Sequence, residues 1–354
     1  MGLSKAAGAP AHLGDRAAMS KTVRPMRTAP LVDGGHTATG VGVGIALAFA
    51  CLAILGVMPV ISNSRPAGFD ALSFAVFLSL WQVVVVLPLV VGELIAGRPG
   101  IFAASLGRQQ RNRTIATIIG TGAMFGLSTL LYVLTAERSG AVAMALAIQA
   151  YPLFAMLWER IFLHRGKSLA ELVFTALLIG ALVYLATSGT WRIAGLSLWF
   201  LLAVAIPFLW SVAHVIIKEE IGATPISPLQ ITFFRVAVSA VFLAAIMLAA
   251  DGPGRLLDDA LNGPYQEVAA LMGAVYGLEL VLWFYAVRTI DVSLASSITV
   301  PAPALTMVLA VLFLGETIKA YQVAAMAIVF IAIYGLLIAG NRRRRREASA
   351  RTPD

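Results

Sequence analysis

The side chains able to do chemistry in this chain sit where charge is most expensive, inside long apolar runs. Glu279, Arg235 and His214 are ionisable residues embedded in three such runs. An ionisable group inside a bilayer costs about 2.5–3.5 kcal/mol on insertion scales, so it faces a cavity, a partner or a ligand. Glu279 lies nine residues before Arg288, about 13 Å from the nearer helix end at about 1.5 Å per residue. Arg235 lies seven residues past Pro228, about 11 Å in from the same side, and His214 is shallower, four residues before Lys218. Two uses follow for Glu279. At similar depth on antiparallel neighbours, it could pair with Arg235 and fix one helix against the next. Alternatively it holds a substrate amine or a proton. Tyr276, three residues earlier, shares nearly the same helix face, and an aromatic beside a carboxylate suits an organic amine through cation–π attraction. His214, near a helix end, is expected to hydrogen-bond locally.

A second group clusters at prolines. Gln149 and Tyr151 stand beside Pro152, and Ser296 and Thr299 precede Pro301 and Pro303. Proline removes a backbone donor and frees a carbonyl, and such broken helices are tolerated inside a membrane where they line a cavity. These four are therefore candidate substrate contacts. The alternative for the hydroxyls is back-bonding within their own helix.

Catalytic chemistry finds little support. The chain has no Ser-His-Asp order, no HExxH and no Walker A sequence. Gly40-x-Gly42-x-Gly44 lacks the preceding strand that a nucleotide loop requires. Cys51 is the one cysteine, so a disulfide, a CxxC or a zinc cluster is excluded. No catalytic residue, metal or cofactor is expected. An intramembrane enzyme acting on a lipid-linked substrate would have to use Glu279 with His214, and a passive channel would conduct without saturating.

The elements that hold these residues are membrane spans. Apolar residues make up 59% of the chain and charged residues 12%, against about 25% charged in soluble domains. Mean hydropathy is +0.87 and the pI is near 9.9. The basic residues lie in tails and short loops, which argues against nucleic acid as partner. A spanning helix needs about 20 apolar residues. Ten such runs fall near 40–62, 71–96, 114–134, 139–163, 168–187, 196–217, 228–250, 266–287, 291–314 and 320–340. Residues 1–39 read as a disordered cytoplasmic tail and 341–354, with Arg342 to Arg346, as a basic cytoplasmic tail.

Gly122-Ala-Met-Phe-Gly-Leu-Ser128 recurs 151 positions later as Gly273-Ala-Val-Tyr-Gly-Leu-Glu279, and the same offset carries Pro152 onto Pro303. This is an internal duplication, dividing the chain into a first repeat, 40–187, a periplasmic linker, 188–195, and a second repeat, 196–340. Gly122, Gly126, Gly273 and Gly277 form small-xxx-small pairs, expected to pack helices closely. Placing the N-terminus inside puts twenty Lys and Arg on the cytoplasmic side and five outside, so both termini are expected in the cytoplasm. Five helices per repeat forces opposite insertion of the halves, the inverted arrangement of secondary transporters, whose site lies between repeats near the midplane. Localisation is expected in the cell inner membrane.

Pro303-Ala-Leu-Thr-Met-Val-Leu-Ala-Val-Leu-Phe-Leu-Gly315-Glu316-Thr resembles a stretch of EamA-type permeases of the drug/metabolite transporter superfamily, in which a proline precedes a Gly-Glu pair at a helix end. The first half keeps Pro152 but has His164-Arg165 where Gly-Glu would fall. Phe233-Phe-Arg235 is similar to the arginine-bearing helix of that family. The resemblance implies ten helices in two five-helix repeats, with spans 1–4 and 6–9 around a central cavity and spans 5 and 10 peripheral. It also implies a secondary carrier, an exporter of a small polar or amphipathic metabolite, amino-acid-like or an organic amine. The expected partners are that substrate and the lipid bilayer, with a homodimer allowed. Glu316 is expected to turn the chain into the last helix.

The topology is testable by cysteine labelling. With Cys51 replaced, single cysteines at Ser64, Ser188 and Asn262 should react with a membrane-impermeant thiol reagent from outside, and one at Ser105 should not. The reverse pattern would sink the orientation.

Overall fold

The computed structural model describes residues 38–163, 168–192, 196–290 and 292–349. Their regular elements are all helical: α1 Ala38–Asn63, α2 Ala71–Ile95, α3 Arg108–Ser139, α4 Ala141–Ile148, α5 Tyr151–Leu163, α6 Leu169–Ala186 and α7 Leu198–Ala223. There follow α8 Pro228–Ala250, α9 Gly252–Leu261, α10 Gly263–Thr289, α11 Val292–Thr299, α12 Ala302–Leu314 and α13 Ala320–Ser349, and a single 3-10 turn covers Gly100–Phe102. Eight of these, α1, α2, α3, α6, α7, α8, α10 and α13, are long and apolar enough to cross a membrane. The protein is a multi-pass, all-helical membrane protein. The expected tail lies outside the described residues as far as position 37.

Helix starts follow local chemistry. Asp70 Oδ1 accepts from the amides of Leu72 and Ser73, both at 2.9 Å, and opens α2. Ser168 and Glu171 form a reciprocal capping box at α6. Ser227 caps α8 and Asn262 caps α10. Each supplies a side-chain oxygen to an amide that the helix leaves unpaired.

The fourth and ninth expected spans are not continuous helices. The chain breaks between α4 and α5 at Gln149 and Ala150, and between α11 and α12 at Val300 and Pro301. Pro152 and Pro303 sit in the first turn of the helix that follows each break, where a missing N–H costs nothing. Two further departures concern charged segments. The turn signal Asp251-Gly-Pro-Gly254 is itself the start of α9, with Asp251 at its N-cap position, and the helix is held by Arg255 Nε on Asp259 Oδ2 at 2.9 Å, one turn along. The arginine run after 340 continues α13 to Ser349, as strong helix formers such as Arg, Glu and Ala allow.

Packing between the two halves is reciprocal. α3 packs against α7 and α8, α10 packs against α1 and α2, and α6 packs against α13. The glycine motifs sit at the crossings. A Cβ on Gly122 would lie 2.6 Å from Val238 Cβ and 2.8 Å from the Arg235 carbonyl oxygen on α8. One on Gly273 would lie 2.6 Å from Trp81 Cβ and 2.7 Å from the Leu78 carbonyl oxygen on α2. Ser239 Oγ donates to the buried carbonyl of Gly122 at 2.7 Å and stitches the first crossing. The expected packing role of these glycines holds.

Gly122→Ala and Gly273→Ala should each destabilise the detergent-solubilised protein by about 1–3 kcal/mol, the usual overpacking cost. Gly42→Ala, where nothing lies within 4 Å of the new Cβ, should leave the thermal midpoint unchanged. Equal midpoints for all three would refute the close-approach account.

Candidate functional site

Among the described residues Arg235 heads the large side chains that are fully buried, at 1% exposed. It stands on α8 with its Cζ 3.7 Å above the ring centre of Phe125 on α3. Its Nε and Nη2 are buried and meet no hydrogen-bond partner among the described residues. A desolvated cation over an aromatic face gains about 2 kcal/mol. The ring thus offsets only part of the charge's loss of water.

The ion pair that similar depths allowed is not formed. Among the described residues no carboxylate oxygen lies within 4.0 Å of Arg235, Glu279 included. Equal depth gives equal height along two helices, but the side chains reach the interior at different angles. Glu279 is buried on α10 with Tyr276 one turn earlier, also buried. Both are close enough to Arg235 to act on its charge, as Glu279 is to Tyr132 on α3. Cys51 on α1 offers its thiol to the Glu279 carbonyl at 3.8 Å.

His214 reaches across the protein. Its Nδ1 lies 3.2 Å from the Tyr151 hydroxyl, a bond joining α7 to α5 rather than the local one expected. Its ring is 5.6 Å from Phe125 and 5.9 Å from Tyr151. Tyr151, His214, Phe125 and Arg235 therefore form a chain of contacts, with Tyr276 and Glu279 near enough to act on the Arg235 charge, and the six come from five different helices.

Gln149 lies apart from that cluster, at the break between α4 and α5. Its Nε2 donates to the carbonyl of Val300, at the other break, over 3.3 Å. The bond spans 151 residues, the offset of the duplicated motif. Thr299, half-buried, closes α11 beside Val300. The Ser296 side chain lies outside the described residues.

Comparison with known proteins bears on the second half. Residues 197–338 match the model of the EamA-like transporter family. Two curated relatives, both named pseudopaline exporter CntI, come from Pseudomonas aeruginosa strains UCBPP-PA14 and ATCC 15692; each is 30% identical over 144 residues, 39% of this chain. The matched stretch spans 44% of the length of those relatives. A crystal structure described only as "Crystal structure of protein" superposes with a TM-score of 0.55 at 18% identity, over 86% of this chain and 97% of that one. That likeness speaks to the fold alone. The resemblance to EamA-type permeases drawn from the sequence is borne out.

The matched stretch carries Arg235, Tyr276, Glu279 and His214, and their neighbours Phe125 and Tyr151 come from the other half. Reasoning from sequence passed over Phe125 and Tyr132 as site residues. The signal was present: Phe125 is the repeat mate of Tyr276, and Phe125, Ser128 and Tyr132 fall at helical spacing on one face of α3. Trp210 Nε1 donates to Ser128 Oγ at 3.0 Å, and Ser128 holds the position where the second repeat has the Glu279 carboxylate. Glu316 does not simply turn the chain. Its Oε1 accepts from the Ala141 amide at 2.9 Å and caps α4 from 175 residues away.

Replacing the ring beneath the arginine tests the electrostatics. Phe125→Leu should cost about 2 kcal/mol of stability, the value of a desolvated cation–π contact. Phe125→Tyr, the residue of the other repeat, should cost much less. Indistinguishable thermal midpoints for the two variants would show that Phe125 contributes only volume.

Proposed function

We propose that the protein is a secondary carrier that exports a small amino-acid-like metabolite or organic amine by alternating access. One observation carries the reading: Arg235 is buried at the meeting of the halves with two guanidinium nitrogens unpartnered among the described residues, and Glu279 is near but not paired with it. Breaking a buried pair costs about 3–5 kcal/mol, so a cation and an anion held apart in an apolar interior have been kept for another use. A zwitterion satisfies both. Its carboxylate takes the open donors of Arg235, and its ammonium takes Glu279 with the Tyr276 face beside it.

The architecture supports this reading. The reciprocal crossings of α3 on α8 and α10 on α2 suit two five-helix repeats inserted with opposite orientation, the α4/α5 and α11/α12 pairs each counting as one interrupted span. In a two-fold arrangement a residue that touches its own mate lies on the axis. Gln149 and Val300 are such mates, so the pseudo-axis runs through the two breaks. Sites in transporters of this kind lie at broken helices near the midplane. The exporter names of the two relatives favour the outward direction, and the distribution of Lys and Arg favours both ends in the cytoplasm, in keeping with a place in the inner membrane.

The test is counterflow of labelled amino acids and amines in proteoliposomes. Saturable, trans-stimulated exchange is expected with the wild type. Glu279→Gln should fold with a nearly unchanged thermal midpoint, because no ion pair is lost, yet lose transport or its dependence on pH. Wild-type transport by Glu279→Gln across pH 5–8 would remove Glu279 from the mechanism. Unsaturable flux would establish a channel instead.

A further inference from the structure

On the face of α8 opposite Arg235 the surface is hollow. Phe234, Ala237, Val238 and Val241 line one wall of a groove, and Ile115, Ile118 and Ile119 of α3 line the other, around a volume of about 570 Å³. That is within the range of about 300–1,000 Å³ typical of ligand sites. Phe102, from the 3-10 turn, and Arg111 close one end. Arg111 is half-buried, and its Nη2 donates to the Ala103 carbonyl at 3.2 Å. Its Nε is buried and meets no partner among the described residues.

The charge around that end is one-sided. No acidic residue occurs between Glu93 and Glu137, while Arg98, Arg108, Arg111 and Arg113 all fall in this stretch. Arg98 is 3.7 Å from Glu93 and Arg113 is 3.9 Å from Glu220. Arg108 and Arg111 have no carboxylate within 4.0 Å among the described residues. The spacing completes the pattern. Arg108, Arg111, Ile115, Ile118 and Ile119 follow one stripe of α3, so two cations lead directly into the apolar trough. Both helices that form the trough are long and apolar enough to cross a membrane, and Ile115, Ile119 and Val241 on its walls are exposed, which suits a lipid-facing surface.

From this we infer that the α3/α8 groove holds an anionic phospholipid, its phosphate on Arg111 and Arg108 and one acyl chain between the helices. Basic pockets at the ends of membrane helices select anionic headgroups, whereas lipid in contact with an ordinary convex helix surface is not selected. The trough supplies the shape, and the two arginines, which meet no carboxylate among the described residues, supply the sign. The inference needs only that α3 and α8 span the membrane and is independent of the transported substrate.

Purified protein would be delipidated with mild detergent and offered dioleoyl phosphatidylglycerol or dioleoyl phosphatidylcholine, with retained lipid counted by native mass spectrometry. The wild type should retain one phosphatidylglycerol in preference to phosphatidylcholine. Arg111→Gln should weaken that retention about fivefold, the scale of one basic residue at an anionic surface. Arg108→Gln leaves the bond from Arg111 to Ala103 intact and should reduce retention while the protein stays monodisperse. It therefore decides the matter if Arg111→Gln fails to fold. Ala237→Phe, which fills the trough but keeps both arginines, should abolish retention. Equal retention of the two lipids overturns the inference, as does undiminished phosphatidylglycerol in the arginine variants. It is also overturned if inorganic phosphate alone raises the thermal midpoint as much as phosphatidylglycerol and Ala237→Phe changes nothing.

Discussion

Two helices interrupted inside an apolar interior set the conditions for the rest of this molecule. An unsatisfied backbone carbonyl in hydrocarbon costs several kcal/mol, and each break exposes such groups. Val300 is 2% exposed and Ala150 is fully buried, so water does not solve the problem. The amide of Gln149 does, by donating to the Val300 carbonyl. One side chain thereby ties together the two interruptions that the prolines create. Had the breaks been exposed to lipid, neither would be tolerable. They are buried because α1 packs on α4, α11 and α12 while α7 packs on α4 and α5.

The same duplication that provides the frame is broken where charge appears. Phe125 and Tyr276 are mates and remain aromatic, but Ser128 and Glu279 are mates and differ by a full charge. On the first-half side Ser128 is satisfied by the Trp210 indole and by the Phe125 carbonyl within its own helix. The mate position on the other side carries a carboxylate. The protein thus spends one copy of the motif on packing and keeps the other for electrostatics. Arg235 illustrates the consequence: its Cζ lies 3.7 Å above the ring of the neutral copy, while the carboxylate of the charged copy stays beyond salt-bridge reach.

How much of this was legible in the chain depends on the range of the interaction. Eight spans could be placed from composition because apolar run length acts locally, residue by residue. The two breaks were foreshadowed by Pro152 and Pro303, whose effect is also local. Tyr151 and His214 were each picked out for polarity at depth, yet their bond could not be foreseen, because it depends on how α5 lies against α7. The Arg235–Glu279 pair failed for a related reason. Sequence fixes height along a helix at about 1.5 Å per residue, but the azimuth of a side chain relative to a neighbouring helix comes from packing. Glu316 and Ala141 show the extreme case, a cap whose two members are 175 residues apart. The helix α9 was hidden by its own glycines and proline, since a turn signal and a helix start share those residues.

α8 is where these constraints meet, and its two faces serve different solvents. Thr232, Arg235 and Ser239 lie on the buried side; Phe234, Ala237, Val238 and Val241 line the groove on the other. Val238 belongs to both accounts, since it walls the groove and also lies where a Cβ on Gly122 would fall. The backbone of α8 is held at that crossing by Ser239 Oγ, which donates to the Gly122 carbonyl at 2.7 Å and to the Arg235 carbonyl at 2.9 Å. A shift of α8 relative to α3 would therefore slide Arg235 off the Phe125 ring, break the Ser239 stitch and change the width of the groove together. Close-packed interiors do not deform one face at a time. The position of the buried cation and the shape of the lipid-facing trough are consequently one mechanical variable, set at a single glycine.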